Sequence, residues 1–260
     1  MPLRISIVDF LNARPLVWGL LKNPPSGVSV SRDLPSVCAD KLARGEADVG
    51  LVPSIEYQRI PGLRVLPGLG IAASSEVRSV LLVADVSREK IRSVSLDPAS
   101  RTSAVLTRLL LKRRYGLEPR YFEEGGEADA RLVIGDPALK ARLNGHVVLD
   151  LAAEWRAFSG HPFVFAFWAV APGVPAEGMS GLLRASYEAG RRNLAKLARE
   201  EAASSGFSAA VIEDYLRHSL HYELDSGDLA GLELFYRLAA EEGLIPAPRP
   251  LEFLGSSDLR

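Results

Sequence analysis

Residues 97–103 read Asp-Pro-Ala-Ser-Arg-Thr-Ser, which places three hydroxyls and one guanidinium at Ser100, Arg101, Thr102 and Ser103. A helical pattern follows directly, with apolar residues at 105, 106, 109 and 110 and Gly116 as the stop. The first turn of a helix carries unpaired N–H groups and about half a positive charge. Added to these hydroxyls and Arg101, it suits a carboxylate or a phosphate. An ordinary serine N-cap accounts for one of the three hydroxyls and less easily for all of them.

Two other loops carry polar groups at the ends of predicted strands, where open α/β sheets place their ligands. In residues 9–15, Asn12 offers donors and an acceptor without charge, and Arg14 suits an anion. Asn12 fits the N-cap of the next helix equally well. In the second loop, Ile134-Gly135-Asp136-Pro137, Asp136 suits an N-cap and Pro137 the first helical position, so capping alone explains it. Ser54 and Ser79 are two further hydroxyls at strand ends.

Much other chemistry is missing. There is no G-x-G-x-x-G, P-loop, G-x-S-x-G or H-E-x-x-H pattern. The single cysteine, Cys38, excludes an internal disulfide and reads as a core residue of an amphipathic helix. Among the histidines only His218 and His221 are close, no third metal ligand stands beside them, and both fall in a helical tail. Trp18, Trp155 and Trp168 read as packing. The formal net charge of -1 gives no electrostatic footprint for nucleic acid or an anionic membrane.

These side chains need elements to position them. The chain has 260 residues, enough for one large domain or two lobes, and 47% hydrophobic residues, enough for a core. Strand-like runs at 4–10, 28–32 and 47–52 alternate with helical runs at 15–21 and 36–44, where Ser36 is a possible N-cap. That order predicts βαβ units. A second series has strands at 79–84, 93–96, 120–122 and 131–134 around the helix at 102–115, then an apolar strand at 163–170. Helical spacing fills 180–203 and 208–243. The expectation is an α/β protein with a first lobe of residues 1–84 and 171–260 and an inserted second lobe of 85–170. The chain would cross between lobes near 82–90 and 166–174, leaving a cleft that can close on a small ligand. Arg4 and Asp9 interrupt the N-terminal apolar run, so it reads as a strand and not a signal peptide. No stretch approaches the ~20 apolar residues of a membrane span. A cytoplasmic protein is expected, either monomer or homodimer.

Five segments in order carry a family resemblance: V-D-F-L-N-A-R-P-L at 8–16, G-E-A-D-V-G-L-V-P-S-I-E at 45–56, S-L-D-P-A-S-R-T-S at 95–103, L-V-I-G-D-P-A-L at 132–139 and L-A-A-E-W-R-A-F-S-G-H-P-F-V-F-A-F-W at 151–168. Over about residues 3–170 the chain resembles the chorismate dehydratases of the futalosine route to menaquinone. The resemblance implies a two-lobed fold like that of type II periplasmic binding proteins, with a ligand cleft between the lobes and C-terminal helices. It implies dehydration of chorismate to 3-[(1-carboxyvinyl)oxy]benzoate, with no cofactor and no metal. It places Asn12 in the substrate-contacting first loop, where a catalytic role is expected of it, and Ser54, Ser79, Ser100, Arg101, Thr102, Ser103, Gly135 and Asp136 on substrate-binding motifs. The family has a Gly-containing turn before Ser79, where this chain reads Ser-Ser-Glu-Val-Arg at 74–78. His161 stands where the family commonly has leucine, and no catalytic role is assigned to it. Two alternatives are the enzyme of the same pathway that forms 1,4-dihydroxy-6-naphthoate and a non-catalytic solute-binding protein. The first usually carries a Cys-Pro-Asn-Asp type first loop, unlike residues 11–15 here; the second predicts a leader that the N-terminus does not read as.

Overall fold

The structure is a computed structural model and describes residues 2–123, 126–175 and 177–255. The described strands are β1 (Leu3–Val8), β2 (Val28–Asp33), β3 (Val49–Pro53), β4 (Arg64–Ala73), β5 (Val80–Ala84), β6 (Ser93–Ser95), β7 (Arg120–Phe122), β8 (Ala130–Ile134), β9 (Val147–Asp150) and β10 (Phe163–Val170). The first helices are α1 (Arg14–Lys22), α2 (Pro35–Ala43), α3 (Glu56–Arg59), α4 (Arg101–Tyr115) and α5 (Gly135–Lys140). They are followed by α6 (Leu151–Ser159), α7 (Met179–Arg192), α8 (Leu194–Ser205), α9 (Ala209–Asp214) and α10 (Ser226–Glu241). No helix among the described residues is long and apolar enough to cross a membrane.

Two five-stranded sheets organise two lobes, in the orders β2-β1-β3-β10-β4 and β7-β6-β8-β5-β9. In the first, β1 runs parallel to β2 and β3, as βαβ connections require. β10 returns antiparallel between β3 and β4. In the second, β6 is parallel to β7 and β8, and β5 is antiparallel to β8 and β9. The pairings therefore put residues 80–84 in the second sheet and 163–170 in the first. The chain passes between sheets at 74–79 and at 160–162, not at the expected 82–90 and 166–174. Both strands are wholly apolar, so composition alone could not assign either to a sheet.

All eight residues of β10 are buried, because elements cover both faces of this central strand. Its Phe163 meets Trp155 of α6 at 5.5 Å and Phe235 of α10 at 5.0 Å, both edge to face. Trp155 and Phe235 close the triangle at 5.9 Å. Aromatic pairs favour this geometry over parallel stacking, and the cluster ties the second crossing to the C-terminal helices.

Helices α1 and α7 pack with their backbones unusually close. A Cβ on Gly19 would lie 2.6 Å from the Ser186 Cα, and one on Gly190 would lie 2.2 Å from the Pro15 carbonyl oxygen. Between them the Ser186 hydroxyl donates to the Leu16 carbonyl at 2.9 Å and accepts the Leu20 N–H at 3.1 Å. This contact fixes α1, and with it the loop that leads out of β1. Gly190→Ala is expected to lower stability by about 1–3 kcal/mol through overpacking. A denaturant midpoint equal to that of the unmodified chain would show that the two helices can separate at no cost.

Candidate active site

A cavity of about 540 Å³ opens between the lobes. The first lobe contributes Phe10 and Asn12 after β1, Pro53 at the end of β3, and Phe165 of β10; the second contributes Ser100, Ser103 and Gly135. Among the described residues, no side chain lining it is charged. Most of the wall is apolar, with a few polar groups, the usual make-up of a small-molecule site.

Asn12 does not cap α1. It lies in a short 3-10 turn, Leu11–Ala13, and the N-cap position of α1 belongs to Ala13. Its Oδ1 is buried and has no hydrogen-bond partner. A buried polar atom without a partner costs free energy, and Asn12 is one of the few polar residues that line the cavity.

The second polar wall is the start of α4. Ser100 occupies the N-cap position, yet its side chain caps no N–H. Ser103, two percent exposed, also lines the cavity. Thr102 lines it too, but its hydroxyl oxygen accepts the Ile55 N–H at 3.2 Å and lies 3.5 Å from the Ser54 hydroxyl. Ser54 itself donates to the Val164 carbonyl at 2.8 Å and sits behind the wall. These two hydroxyls hold α4 to the first lobe.

Besides Ser54, three expected contacts lie away from the cavity. Arg101 turns outward, with Nη1 2.8 Å from Asp40 and 3.1 Å from Glu56. Burial works against its charge, but the two carboxylates outweigh it and raise its pKa. Ser79 is fully buried, and its hydroxyl accepts from the Tyr215 hydroxyl at 2.7 Å. Asp136 is not an N-cap, since Ile134 takes that position in α5. Its Oδ1 instead accepts the Leu11 N–H at 3.0 Å, across the cleft. Burial pushes this carboxyl above its usual range, and the Leu11 N–H opposes the shift.

Arg14 likewise is not part of the cavity lining. It is buried, 2.7 Å from Asp9 and 3.0 Å from Glu201. Ser36 is not an N-cap, because Pro35 opens α2 and Leu34 precedes it. Cys38 is a core residue as read, and burial pushes its thiol up to about 12. His218 and His221 pair with Asp214 and Asp228 at 3.0 and 2.8 Å.

Sequence reasoning passed over Tyr215, which begins a π-helical turn, Tyr215–Ser219. Such turns are rare and concentrate at functional sites. Its only sequence signal is an aromatic residue in a helical run. The apolar walls formed by Phe10, Ile71 and Val77 were also missed: Phe10 and Val77 are isolated apolar residues in loops, which carry no spacing signal, and Ile71 lies in β4, whose pattern is broken by Pro67, Gly68 and Gly70.

Two sheets of this order, joined by two crossings around a cleft, define a two-lobed periplasmic-binding-protein-like fold. Solved structures agree. A protein of Archaeoglobus fulgidus superposes with a TM-score of 0.79 at 16% identity, covering 94% of this chain and 98% of that one. The periplasmic aliphatic sulphonate binding protein SsuA of Escherichia coli gives 0.65 at 20% identity, covering 98% and 94%. Within that class, residues 3–241 match the menaquinone biosynthesis family, and the chain belongs to it. A chorismate dehydratase of Thermus thermophilus is 31% identical over 234 residues, covering 80% of this chain and 86% of that protein. Another from Campylobacter jejuni is 32% identical over 165 residues, covering 61% and 63%.

Two tyrosine variants test the buried polar groups. Tyr215→Phe removes the donor to Ser79 and is expected to cost about 1–3 kcal/mol. Tyr222→Phe removes a buried hydroxyl that has no partner, so it is expected to be neutral or stabilising. Equal losses in urea unfolding would contradict the assignment of these two hydroxyls.

Proposed function

We propose that this chain dehydrates chorismate to 3-[(1-carboxyvinyl)oxy]benzoate, in the cytoplasm and on the futalosine route to menaquinone. The observation that carries the reading is the pairing of an unpartnered, buried Asn12 Oδ1 with the first turn of α4 in one uncharged cavity. The named activity of the Thermus and Campylobacter relatives supports it.

Chorismate carries two carboxylates and a ring hydroxyl. One carboxylate fits the N–H groups at the start of α4, with the Ser100 and Ser103 hydroxyls as further donors. The ring hydroxyl fits Asn12 Oδ1, which needs a donor. Elimination then takes the proton from the ring carbon that bears the ether oxygen. That C–H electron pair forms the new double bond, and the C–O bond on the neighbouring carbon breaks. Proton and hydroxide leave together as water, and the ring becomes aromatic.

A base is needed for that proton. Among the described residues the lining offers no carboxylate, imidazole or amine. In this reading the second carboxylate of chorismate takes the proton and passes it to the departing hydroxide. The protein contributes orientation and fixed dipoles in a site of low polarity.

Purified protein mixed with chorismate is expected to yield an aromatic acid lighter than the substrate by one water, followed by absorbance and mass. Binding without turnover would favour a solute-binding module. Asn12→Ala is expected to lower kcat by about 10²–10³, the usual effect of removing one preorganised polar contact. Full turnover by that variant would remove Asn12 from the mechanism.

A further inference from the structure

Asn12 works only if its loop is held still, and the loop supplies little of that restraint itself. The 3-10 turn Leu11–Ala13 has Phe10 at its N-cap position, which offers no side-chain acceptor. Leu11 is one percent exposed, so its N–H cannot turn to water. An unpaired buried N–H is rare and costly. Here the acceptor comes from the other lobe: Asp136 Oδ1 takes the Leu11 N–H at 3.0 Å, over a sequence separation of 125 residues.

The neighbouring pair is in register with this bond. Gly135 has φ +62°, and a Cβ built on it would lie 3.0 Å from three atoms of the Phe10 ring. The absence of a side chain lets the ring of Phe10 lie against the start of α5. Phe10 thus meets Gly135, Leu11 meets Asp136, and Asn12, the next residue, presents its unpaired Oδ1 to the cavity. Asp136 does not line that cavity.

We infer that Asp136 is a positioning residue, a helix cap supplied across the cleft that fixes Asn12 when the lobes are closed. The inference rests on the reading of Asn12 given above. What it requires of residue 136 is an acceptor oxygen at that place, not a carboxylate that exchanges protons. An amide oxygen meets the same need, so asparagine substitutes for aspartate and alanine does not.

The test compares Asp136→Ala and Asp136→Asn in the full chain by two readouts. One is kcat and KM with chorismate; the other is amide hydrogen exchange across residues 9–13, which needs no substrate. Asp136→Ala is expected to lower kcat about 10-fold and speed exchange at Leu11 about 10-fold, the worth of one hydrogen bond to a charged group. Asp136→Asn is expected to stay within about threefold of the unmodified chain in both, since the neutral acceptor keeps most of that bond. If Asp136→Ala does not fold, Asp136→Leu, which keeps the bulk and removes the acceptor, takes its place.

An asparagine variant that protects Leu11 but does not turn over bound chorismate would overturn the inference and make Asp136 a proton-transfer group. So would an alanine variant with unchanged exchange and turnover. If the unmodified chain does not convert chorismate at all, the functional reading fails. The exchange comparison then still decides whether the bond across the cleft holds the loop.

Discussion

The first turn of α4 lies on the seam between the lobes, and residues 100–103 divide two tasks there. With 3.6 residues per turn, neighbouring side chains leave a helix in different directions. Ser100 and Ser103, three apart, line the cavity. Arg101 leaves on another side and pairs with Asp40 and Glu56 of the first lobe. Thr102 faces the cavity and also receives the Ile55 N–H. The same helical turn thus offers donors to a ligand and bonds the second lobe to the first. Were it displaced, the cavity would lose one polar wall and its seam together.

This division explains why the lining is uncharged. Glu56 is three percent exposed and depends on Arg59 and Arg101 for its counter-charges. Withdrawing Arg101 would leave this buried carboxylate with Arg59 as its counter-charge, and weakening a buried ion pair is destabilising. In this structure Arg101 is paired with Glu56 and Asp40, and it does not line the cavity. The consequence is chemical. A cation beside a carboxylate lowers its pKa and its strength as a base. In the proposed reading, a cavity that holds one carboxylate with dipoles and sets no cation against the other would leave that second carboxylate basic. Among the described residues the lining supplies no competing base.

The fold class was legible because alternation of short apolar runs with helical spacing is a local signal, as at β1, α1, β3 and α4. The helix end at Gly116 was legible too, since its φ of +64° is one that glycine adopts freely. Strand β4 was not read, because Pro67, Gly68 and Gly70 break its pattern, yet it pairs along β10 with two register shifts. β9 and α6 were also passed over. The motif at 100–103 was read as one anion clamp; only the direction of each side chain separates Ser100 and Ser103 from Arg101. Asp136 looked like a cap and is one, but for a turn 125 residues away. No sequence window contains both partners of such a contact.

The departure from the family's turn before Ser79 has a physical resolution. Arg78 holds a φ of +63°, the one positive φ outside glycine among the described residues. For a residue with a Cβ that conformation is strained. Asp150 offsets the strain by accepting the Val77 N–H at 3.1 Å and the Arg78 N–H at 2.7 Å. The Arg78 guanidinium also reaches Asp214 at 2.6 Å. The Asp150 carboxylate further accepts from Ala152 and Ala153, which makes it the N-cap of α6. Burial raises its pKa, and the four N–H groups work in the opposite direction. Helix α6 carries Trp155 and runs into the second crossing at 160–162. One carboxylate therefore bonds the first crossing to the element that leads into the second. Arginine replaces a permissive turn without freeing the two connections to move apart, because the backbone at 77–78 is held by Asp150 and not by the residue type.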